Sequence, residues 1–396
     1  MQDRPVVTDW MTDWDHMDPE WTEDPYRIWN KIRDEKCPIA HTERFGGAYL
    51  PVNFNDIREI AYDTDSFSSR QVVVRDTEPL MNEGAPPITT DPPKHRFSRM
   101  VIMPPFSPHE IKKLIPRTRE LCNELIDKFA DKGEFDGAAD YSQHIPVHVI
   151  AHMLGIPDSD ADQFRSWIGQ ILIDGILDDD ALNGGLHEIT AYMAVHLEER
   201  RRNPGDDLIS YLAQQHYEDG EPLKEKHILG SLRLILIAGI DTTWSGIGAS
   251  IWHLARTPSD RERLVREPEL INSAVEEFLR AYAPVTMARY VESDQTVNGC
   301  PMKAGQTLLL PFPAANRDPK QFDRPDEVII DRPNNKHVAF GMGIHRCVGM
   351  HLARMELRVA IEELLKRIPS FRLAGETTWS RGPIRGPRSL PLAFDL

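Results

Sequence analysis

The stretch that decides the fold is Phe340-Gly341-Met342-Gly343-Ile344-His345-Arg346-Cys347-Val348-Gly349. Its glycines let the backbone pass close to a flat, bulky group, because glycine carries no Cβ. An amphipathic helix is predicted directly afterwards, over residues 349–368. Cys347 therefore stands just before a helix N-terminus, where the macrodipole and free N–H groups favour a thiolate over a thiol. A thiolate held in this way is suited to bind iron.

The pattern F-G-x-G-x-H-x-C-x-G resembles the haem-binding loop of the cytochrome P450 superfamily and matches it at every fixed position. The resemblance implies that Cys347 is the axial thiolate ligand of haem b (iron protoporphyrin IX). It also implies that Phe340, Gly341, His345 and Gly349 border this cofactor.

Two other interpretations of the loop remain open at this point. A lone cysteine in a glycine-rich turn is more often a buried structural residue than a ligand. A zinc site formed by His345, Cys347 and His351 is the second alternative, but it supplies three ligands without an evident fourth.

A second motif, Ala238-Gly239-Ile240-Asp241-Thr242-Thr243, lies inside a long predicted helix. Glycine and a buried carboxylate both cost stability in a helix interior, and a Thr hydroxyl bonded to the carbonyl four residues earlier weakens the local ladder. The segment resembles the distal helix of the same family. The resemblance implies that Ala238 borders the haem, that Thr242 hydrogen-bonds dioxygen and water, and that Asp241 relays protons from solvent.

Charged residues elsewhere match further positions of the family. Glu277 and Arg280 form an E-x-x-R pair, and Arg317 in Ala315-Asn316-Arg317-Asp318-Pro319 is predicted as the third member of a buried structural network.

The haem propionates need cationic donors, and the resemblance implies four of them. His95 and Arg99 are four residues apart and so share a helix face, while Arg289 and His345 complete the set.

Composition narrows the range of functions. The 396 residues carry 46 Lys+Arg against 62 Asp+Glu, a formal charge of −16. This charge repels phosphate backbones and anionic lipid heads, so we expect no nucleic acid and no membrane as partners. The one long apolar stretch, 228–255, contains Arg233, Asp241 and His253, which predicts a buried helix rather than a membrane span.

The four cysteines lie far apart and form no C-x-x-C pair. This spacing indicates neither a disulfide framework nor a zinc ribbon, and it favours a reducing cytoplasm. The cysteines are Cys37, Cys122, Cys300 and Cys347.

The chain reads as one unit over residues 1–396, mostly α with a minor β sheet, as in the single triangular P450 fold. Apolar spacing of three and four predicts helices over residues 110–132, 141–155, 186–202, 224–256, 270–282 and 349–368. Short strands are predicted at Ala48–Val52 and Gln306–Phe312.

The resemblance implies a monooxygenase that takes O2 as co-substrate and oxidises a small or medium apolar organic molecule. The substrate would contact Ile235, Val285, Met287 and Leu390, together with loop segments at 70–88 and 167–177. Arg70 and Arg75 are candidates for binding a substrate carboxylate.

Electrons ultimately from NAD(P)H would arrive through a separate iron–sulfur ferredoxin or flavodoxin-type donor and its reductase. Residues 94–119 hold seven Lys+Arg against one acid, and residues 346–372 hold six against three. We therefore predict a basic docking patch for an acidic donor.

Two rivals to the monooxygenase remain, a peroxygenase driven by H2O2 and a non-catalytic haem-thiolate ligand sensor. The intact Asp241-Thr242 pair argues against both, because neither needs proton delivery to dioxygen.

Overall fold

The computed structural model describes residues 4–75, 84–176 and 178–396. Its α-helices are α1 (Pro19–Glu23), α2 (Pro25–Arg33), α3 (Phe54–Tyr62), α4 (Lys94–Ile102), α5 (Pro108–Asp127), α6 (His144–Leu154), α7 (Ala161–Leu172), α8 (Asp179–Arg202), α9 (Leu208–Ala213), α10 (Glu225–Arg256), α11 (Pro258–Arg266), α12 (Ile271–Ala281), α13 (Phe312–Ala315) and α14 (Met350–Arg367). The strands are β1 (Ile39–Thr42), β2 (Ala48–Pro51), β3 (Phe67–Ser68), β4 (Glu134–Asp136), β5 (Thr286–Val291), β6 (Gln295–Val297), β7 (Cys300–Met302), β8 (Thr307–Pro311), β9 (Arg372–Leu373), β10 (Thr378–Trp379), β11 (Pro387–Ser389) and β12 (Pro391–Ala393). The predicted class, mostly α with a minor sheet, is confirmed.

The predicted helices lie close to the observed ones, and the differences have local causes. Helix α5 begins at Pro108, where the Ser107 side chain accepts a hydrogen bond from the backbone N–H of Glu110, as expected of an N-cap. The segment predicted as one helix over 141–155 divides into a π-helical turn, Gly137–Ser142, and α6.

Helix α10 is the central element of the fold. It packs against α6, α8 and α14, and most of its residues are buried. Its length and composition would suit a membrane span, yet 83% of its apolar window is buried within the fold. This burial is what the sequence predicted for residues 228–255.

The main sheet combines strands from residues 39–68 and 286–311 and has the strand order β1-β2-β8-β5-β3. All neighbours are antiparallel except β2 and β8, which run parallel. The predicted strands at 48–52 and 306–312 correspond to β2 and β8. Smaller sheets join β4-β12-β9, β10-β11 and β6-β7.

The sequence predicted no disulfide, and this prediction was wrong for one pair of cysteines. Cys37 and Cys300 form a disulfide, with their Cα atoms 6.2 Å apart. Cys37 lies just before β1, and Cys300 opens β7, which packs in the same hydrophobic cluster as Ile39 of β1. Because the fold brings the two together across 263 residues, no local spacing in the sequence signals the pair.

Candidate functional site

One interior cavity gathers most of the predicted site residues. It measures about 1480 Å³ with its solvent-open part. Helix α10 contributes residues at intervals of three and four, the spacing of one helix face. Strand β5 contributes Met287 and Arg289, which share a face because side chains alternate along a strand. The predicted residues that line the cavity are Arg99, Ile235, Ala238, Thr242, Val285, Met287, Arg289, Phe340, Gly341, His345, Cys347 and Gly349.

The loop that carries Cys347 is a tight, hydrogen-bonded turn. The Cys347 N–H donates to the Phe340 carbonyl at 2.8 Å. Gly341 and Gly343 have φ values of +72° and +69°, which residues other than glycine rarely adopt. A Cβ on Gly343 would lie 2.4 Å from the carbonyl oxygen of Ala61. The glycines are therefore needed both for the turn and for its close packing on α3.

Residues outside the motif hold this loop in register. The buried Asn316 side chain accepts a hydrogen bond from the Val338 N–H at 2.7 Å. Arg354 of α14 stacks over the Phe340 ring at 4.5 Å and donates to Glu276 at 2.6 and 2.8 Å. The loop is thus tied to both α12 and α14. None of these residues was predicted from the sequence.

The thiol of Cys347 is accessible from the cavity, although protein atoms surround it on its other sides. Burial raises its pKa, whereas the Gly349 N–H and the nearby Arg99 and Arg354 act in the opposite direction. The position before α14 was expected to favour the thiolate. In the protein alone, burial outweighs that effect and favours the thiol.

Four cationic or potentially cationic side chains converge on one end of the cavity. The rings of His95 and His345 lie 4.4 Å apart between centroids. Burial lowers the pKa of His345 to about 2 and that of Arg289 to about 10. Arg99 reaches the same region and donates to the Arg346 carbonyl at 2.6 Å.

This cluster provides a direct test of whether haem fits. The Nε2 atoms of His95 and His345 are buried and have no hydrogen-bond partner in the described part of the chain. Within residues 4–75, 84–176 and 178–396, no carboxylate forms an ion pair with His95, Arg99, Arg289 or His345. Buried N–H donors need hydrogen-bond acceptors, and buried guanidinium charges need an anionic partner. The two propionates of haem b supply one, and Cys347 supplies the thiolate, so these residues fit the cofactor.

Thr242 and Asp241 are adjacent in sequence but have different surroundings. Thr242 lines the cavity, and its hydroxyl donates to the Ala238 carbonyl at 2.8 Å, as predicted. Asp241 is 1% exposed and pairs with Arg388 of β11, whose Nη2 lies 3.0 Å from Oδ2. The structure therefore brings Thr242, but not Asp241, to the cavity wall. The sequence indicated a weakened hydrogen-bond ladder at this motif, but α10 is one continuous helix through both residues.

The prediction of Arg317 as third member of the buried network was wrong. Glu277 and Arg280 do form a fully buried pair, with nitrogen and oxygen 2.8 Å apart. The third member is Arg332, whose Nε donates to Glu277 at 3.0 and 3.1 Å. Arg317 stacks on Tyr26 and pairs with the exposed carboxylate of Asp326. Arg332 reaches Glu277 because the loop after α13 folds back over α12.

Leu390 does not belong to the cavity. It is fully buried elsewhere, where its carbonyl accepts a hydrogen bond from the Gly137 N–H at 2.8 Å. It lies between β11 and β12 and packs against Gly137 of the π-helical turn, so its role is packing. The other predicted pocket residues, Ile235, Val285 and Met287, do line the cavity.

Two loop arginines that were candidates for a substrate carboxylate already have partners. Arg70 pairs with Glu292 at 3.2 Å and stacks on Tyr290, and Arg75 pairs with Asp179. Residues 76–83 and 177, which belong to the predicted substrate segments, lie outside the described residues.

The zinc alternative finds no support. In the part of the chain that the structure describes, no group of three or more His, Cys, Asp or Glu is arranged to hold a metal ion.

Comparison with known proteins identifies the family. A family model described as Cytochrome P450 matches residues 185–374. The chain is 35% identical to the Mycinamicin IV hydroxylase/epoxidase of Micromonospora griseorubida, over 88% of this chain and 89% of that protein. The chain belongs to the cytochrome P450 family. As in its relatives, the implied cofactor is a haem-thiolate that works with O2.

Other P450 relatives agree in sequence and structure. The Vitamin D(3) 25-hydroxylase of Pseudonocardia autotrophica is 35% identical over 87% of this chain and 89% of its own length. The solved structure of the Bacillus subtilis 168 bacillaene polyketide synthase P450 PksS superposes with a TM-score of 0.89 at 30% identity, over 97% of this chain and 100% of that one. The two relatives with a named activity are a hydroxylase/epoxidase and a hydroxylase, and this P450 is an oxidoreductase.

Proposed function

We propose that this P450 hydroxylates, or otherwise oxidises, a small or medium apolar organic substrate with O2 and two electrons from a separate redox protein. The observation that supports this proposal is that Cys347 and Thr242 line one cavity whose other walls are mainly apolar. An apolar wall holds an unreactive substrate without polar anchors. The bound haem would supply the activation of dioxygen; the side chains bind, orient and move protons.

The haem-binding roles divide between two ends of the site. Cys347 would ligate the iron, and Gly349 would donate its N–H to the thiolate sulfur. His95, Arg99, Arg289 and His345 would bind the propionates, which neutralise a cluster that is otherwise positively charged. Ala238, Phe340 and Gly341 offer small or flat surfaces against the ring.

Thr242 would deliver protons to the cavity, and Asp241, which does not reach the cavity wall, would supply them from solvent. With the Thr242 hydroxyl donating to Ala238, its oxygen lone pairs remain able to accept a hydrogen bond from water in the cavity. Rotation of the hydroxyl would then let it donate a proton towards that water. Asp241 would take protons from solvent beside Arg388, whose side chain is 17% exposed.

The electron donor would dock beside Arg346, which is exposed next to Cys347. The basic patch is narrower than the sequence predicted, because Arg117, Arg119 and Arg367 pair with carboxylates of this chain. Lys94, Arg96, Lys112 and Arg346 have no carboxylate partner among the described residues. We propose that these four side chains attract an acidic ferredoxin or flavodoxin-type protein. That donor would receive its electrons from NAD(P)H through its reductase. We also propose that this P450 works in the cytoplasm.

The test begins with a panel of apolar compounds, screened on the haem-loaded protein for conversion from low to high spin. Compounds that convert it are then incubated with NADPH, a ferredoxin, its reductase and 18O2. One labelled oxygen in the product supports the proposal. Absence of product from every converting compound contradicts it and favours the ligand sensor.

Two variants separate the proposed roles. Cys347→Ser should lose the red-shifted Soret band of the reduced carbon monoxide complex. Thr242→Ala should keep consuming NADPH but release peroxide in place of product. Thr243→Ala is the matched control, since Thr243 also lines the cavity. Equal coupling of NADPH consumption to product in the parent protein, Thr242→Ala and Thr243→Ala would refute the role of Thr242. If H2O2 alone gives product as fast as NADPH with the redox proteins, the peroxygenase is favoured.

A further inference from the structure

A short loop over residues 84–90 forms one wall of the cavity. Pro87 and Ile88 contact the cavity directly. The loop braces itself through the Thr90 hydroxyl, which donates to the Pro87 carbonyl at 2.8 Å. Ile235 of α10 lines the same cavity, so the position of the loop relative to α10 affects the room that the cavity offers.

Helix α10 holds this loop at three successive points. The backbone of Gly230 approaches the loop so closely that a Cβ there would lie 2.2 Å from the Gly84 carbonyl oxygen. The Ser231 hydroxyl donates to the Pro86 carbonyl at 3.3 Å. The Arg233 guanidinium donates to the Gly84 carbonyl at 2.7 Å. Of these contacts, only the one from Arg233 carries a charge, and charge-assisted bonds are the stronger kind.

Arg233 also reaches a third element. Its Nη1 lies 3.3 Å from the hydroxyl oxygen of Thr190 on α8, and that hydroxyl donates to the Leu186 carbonyl at 2.7 Å. Burial lowers the pKa of Arg233. Among the described residues no carboxylate pairs with this half-buried guanidinium, so its hydrogen bonds go to the Gly84 carbonyl and the Thr190 hydroxyl. An apolar side chain would fill this space without the cost of a partly buried charge. The presence of a guanidinium here therefore indicates that its hydrogen bonds to Gly84 and Thr190 matter.

We propose that Arg233 is a positioning residue that sets the size of the substrate. By tying Gly84 to α10 and α8, it holds Pro87 and Ile88 against the cavity and limits the length of the molecule that fits. The inference rests on the proposed function only in taking this cavity as the substrate site.

The experiment measures binding rather than turnover. A series of 1-alkylimidazoles, from methyl to decyl, is titrated into the haem-loaded protein, and dissociation constants are read from the Soret shift. In Arg233→Gln the wall is released, so the decyl-to-methyl affinity ratio should rise at least fivefold. Arg233→Lys keeps the charge and can reach Gly84, and should give an intermediate ratio.

Control variants make the result decisive. Arg263→Gln removes an arginine of α11 that pairs with Asp331 at 2.7 Å, and should leave the ratio unchanged. A ratio within twofold of the parent in Arg233→Gln, or an equal change in Arg263→Gln, overturns the proposal. If Arg233→Gln does not fold, Ser231→Ala and Thr190→Val each remove one neighbouring contact and should raise the ratio at least twofold; unchanged ratios in both overturn it.

Failure of this inference is distinct from failure of the proposed function. Alkylimidazole binding needs no electrons and no product. A changed decyl-to-methyl affinity ratio without product formation supports the role of Arg233 and counts against the monooxygenase. Product formation with an unchanged ratio supports the monooxygenase and counts against the role of Arg233.

Discussion

Removal of the Arg388 charge should destabilise the protein through Asp241. The Asp241 carboxylate is 1% exposed and binds both terminal nitrogens of Arg388. Arg388→Met keeps part of the aliphatic stem but removes the guanidinium, which lies 5.3 Å from the Trp244 ring centroid, and leaves the Asp241 carboxylate without its counter-charge. Breaking a buried pair from one side costs about 3–5 kcal/mol, because an uncompensated charge stays inside.

The expected shift in melting temperature follows from chain length. A chain of 396 residues has an unfolding entropy of about 0.8 kcal/mol/K, so this loss corresponds to a fall of about 4–6 °C. The assay is thermal unfolding of the haem-loaded protein, followed by circular dichroism at neutral pH. Asp241→Asn in the Arg388→Met background removes the stranded charge and should recover at least half of the loss.

A matched pair at the surface provides the control. Arg263 and Asp331 are 35% and 43% exposed, and Arg263→Met should lower the melting temperature by less than about 1 °C, since exposed pairs contribute about 0–1 kcal/mol. A fall below 1 °C in Arg388→Met, or no recovery in the double variant, would refute the reasoning that Asp241 depends on this partner.

Three further predictions concern the framework of the haem loop. Arg332→Met should cost about 1.5–3 kcal/mol and Arg317→Met about 1 kcal/mol or less in urea unfolding, because of these two arginines only Arg332 contacts the Glu277 carboxylate, which keeps its pair with Arg280; equal losses would contradict this assignment. Burial alone would raise the pKa of Glu276, but hydrogen bonds from the His337 and Arg354 side chains lower it from 4.5 to about 2. The ionised carboxylate therefore contributes about 3 kcal/mol to the free energy of unfolding above pH 4.5, and this contribution is lost as the pH falls towards 2. Glu276→Gln should flatten that acid slope in a pH series of unfolding curves, and an unchanged slope would count against it. Gly343→Ala should reduce haem retention in gel filtration and cost at least about 1–2 kcal/mol, because φ is positive and the Cβ would meet Ala61; full haem retention would be the contrary result.

The sequence predicted the parts of the site that are local. Cys347, its flanking glycines and Thr242 occur in contiguous motifs, and the helix that carries Thr242 shows its apolar pattern throughout. His95 and Arg99 share one helix turn, which their spacing reveals. In each case neighbours in sequence are neighbours in space, so the pattern alone indicates the geometry.

Other parts depend on contacts between distant segments. Arg388 meets Asp241 across 147 residues, and Arg332 meets Glu277 across 55. Arg317 was chosen for the network because it lies in a recognisable motif, whereas Arg332 occupies an irregular loop whose path only the fold defines. Leu390 was assigned to the cavity by resemblance to the family, although it lies between β11 and β12 and packs against the π-helical turn. Long-range pairing of this kind leaves no periodic trace in one sequence.

The Cys37–Cys300 bond turns much of this P450 into a covalent ring with two tails. The ring contains Thr242 on α10, whereas Cys347 lies on the C-terminal tail, so the two sides of the cavity belong to different topological parts of the chain. A single proteolytic cut in the exposed turn at 218–222, inside the ring, would leave one band on a non-reducing gel and two bands after reduction. An enzyme nicked there would keep both sides of its site on one covalent framework for as long as the disulfide is oxidised.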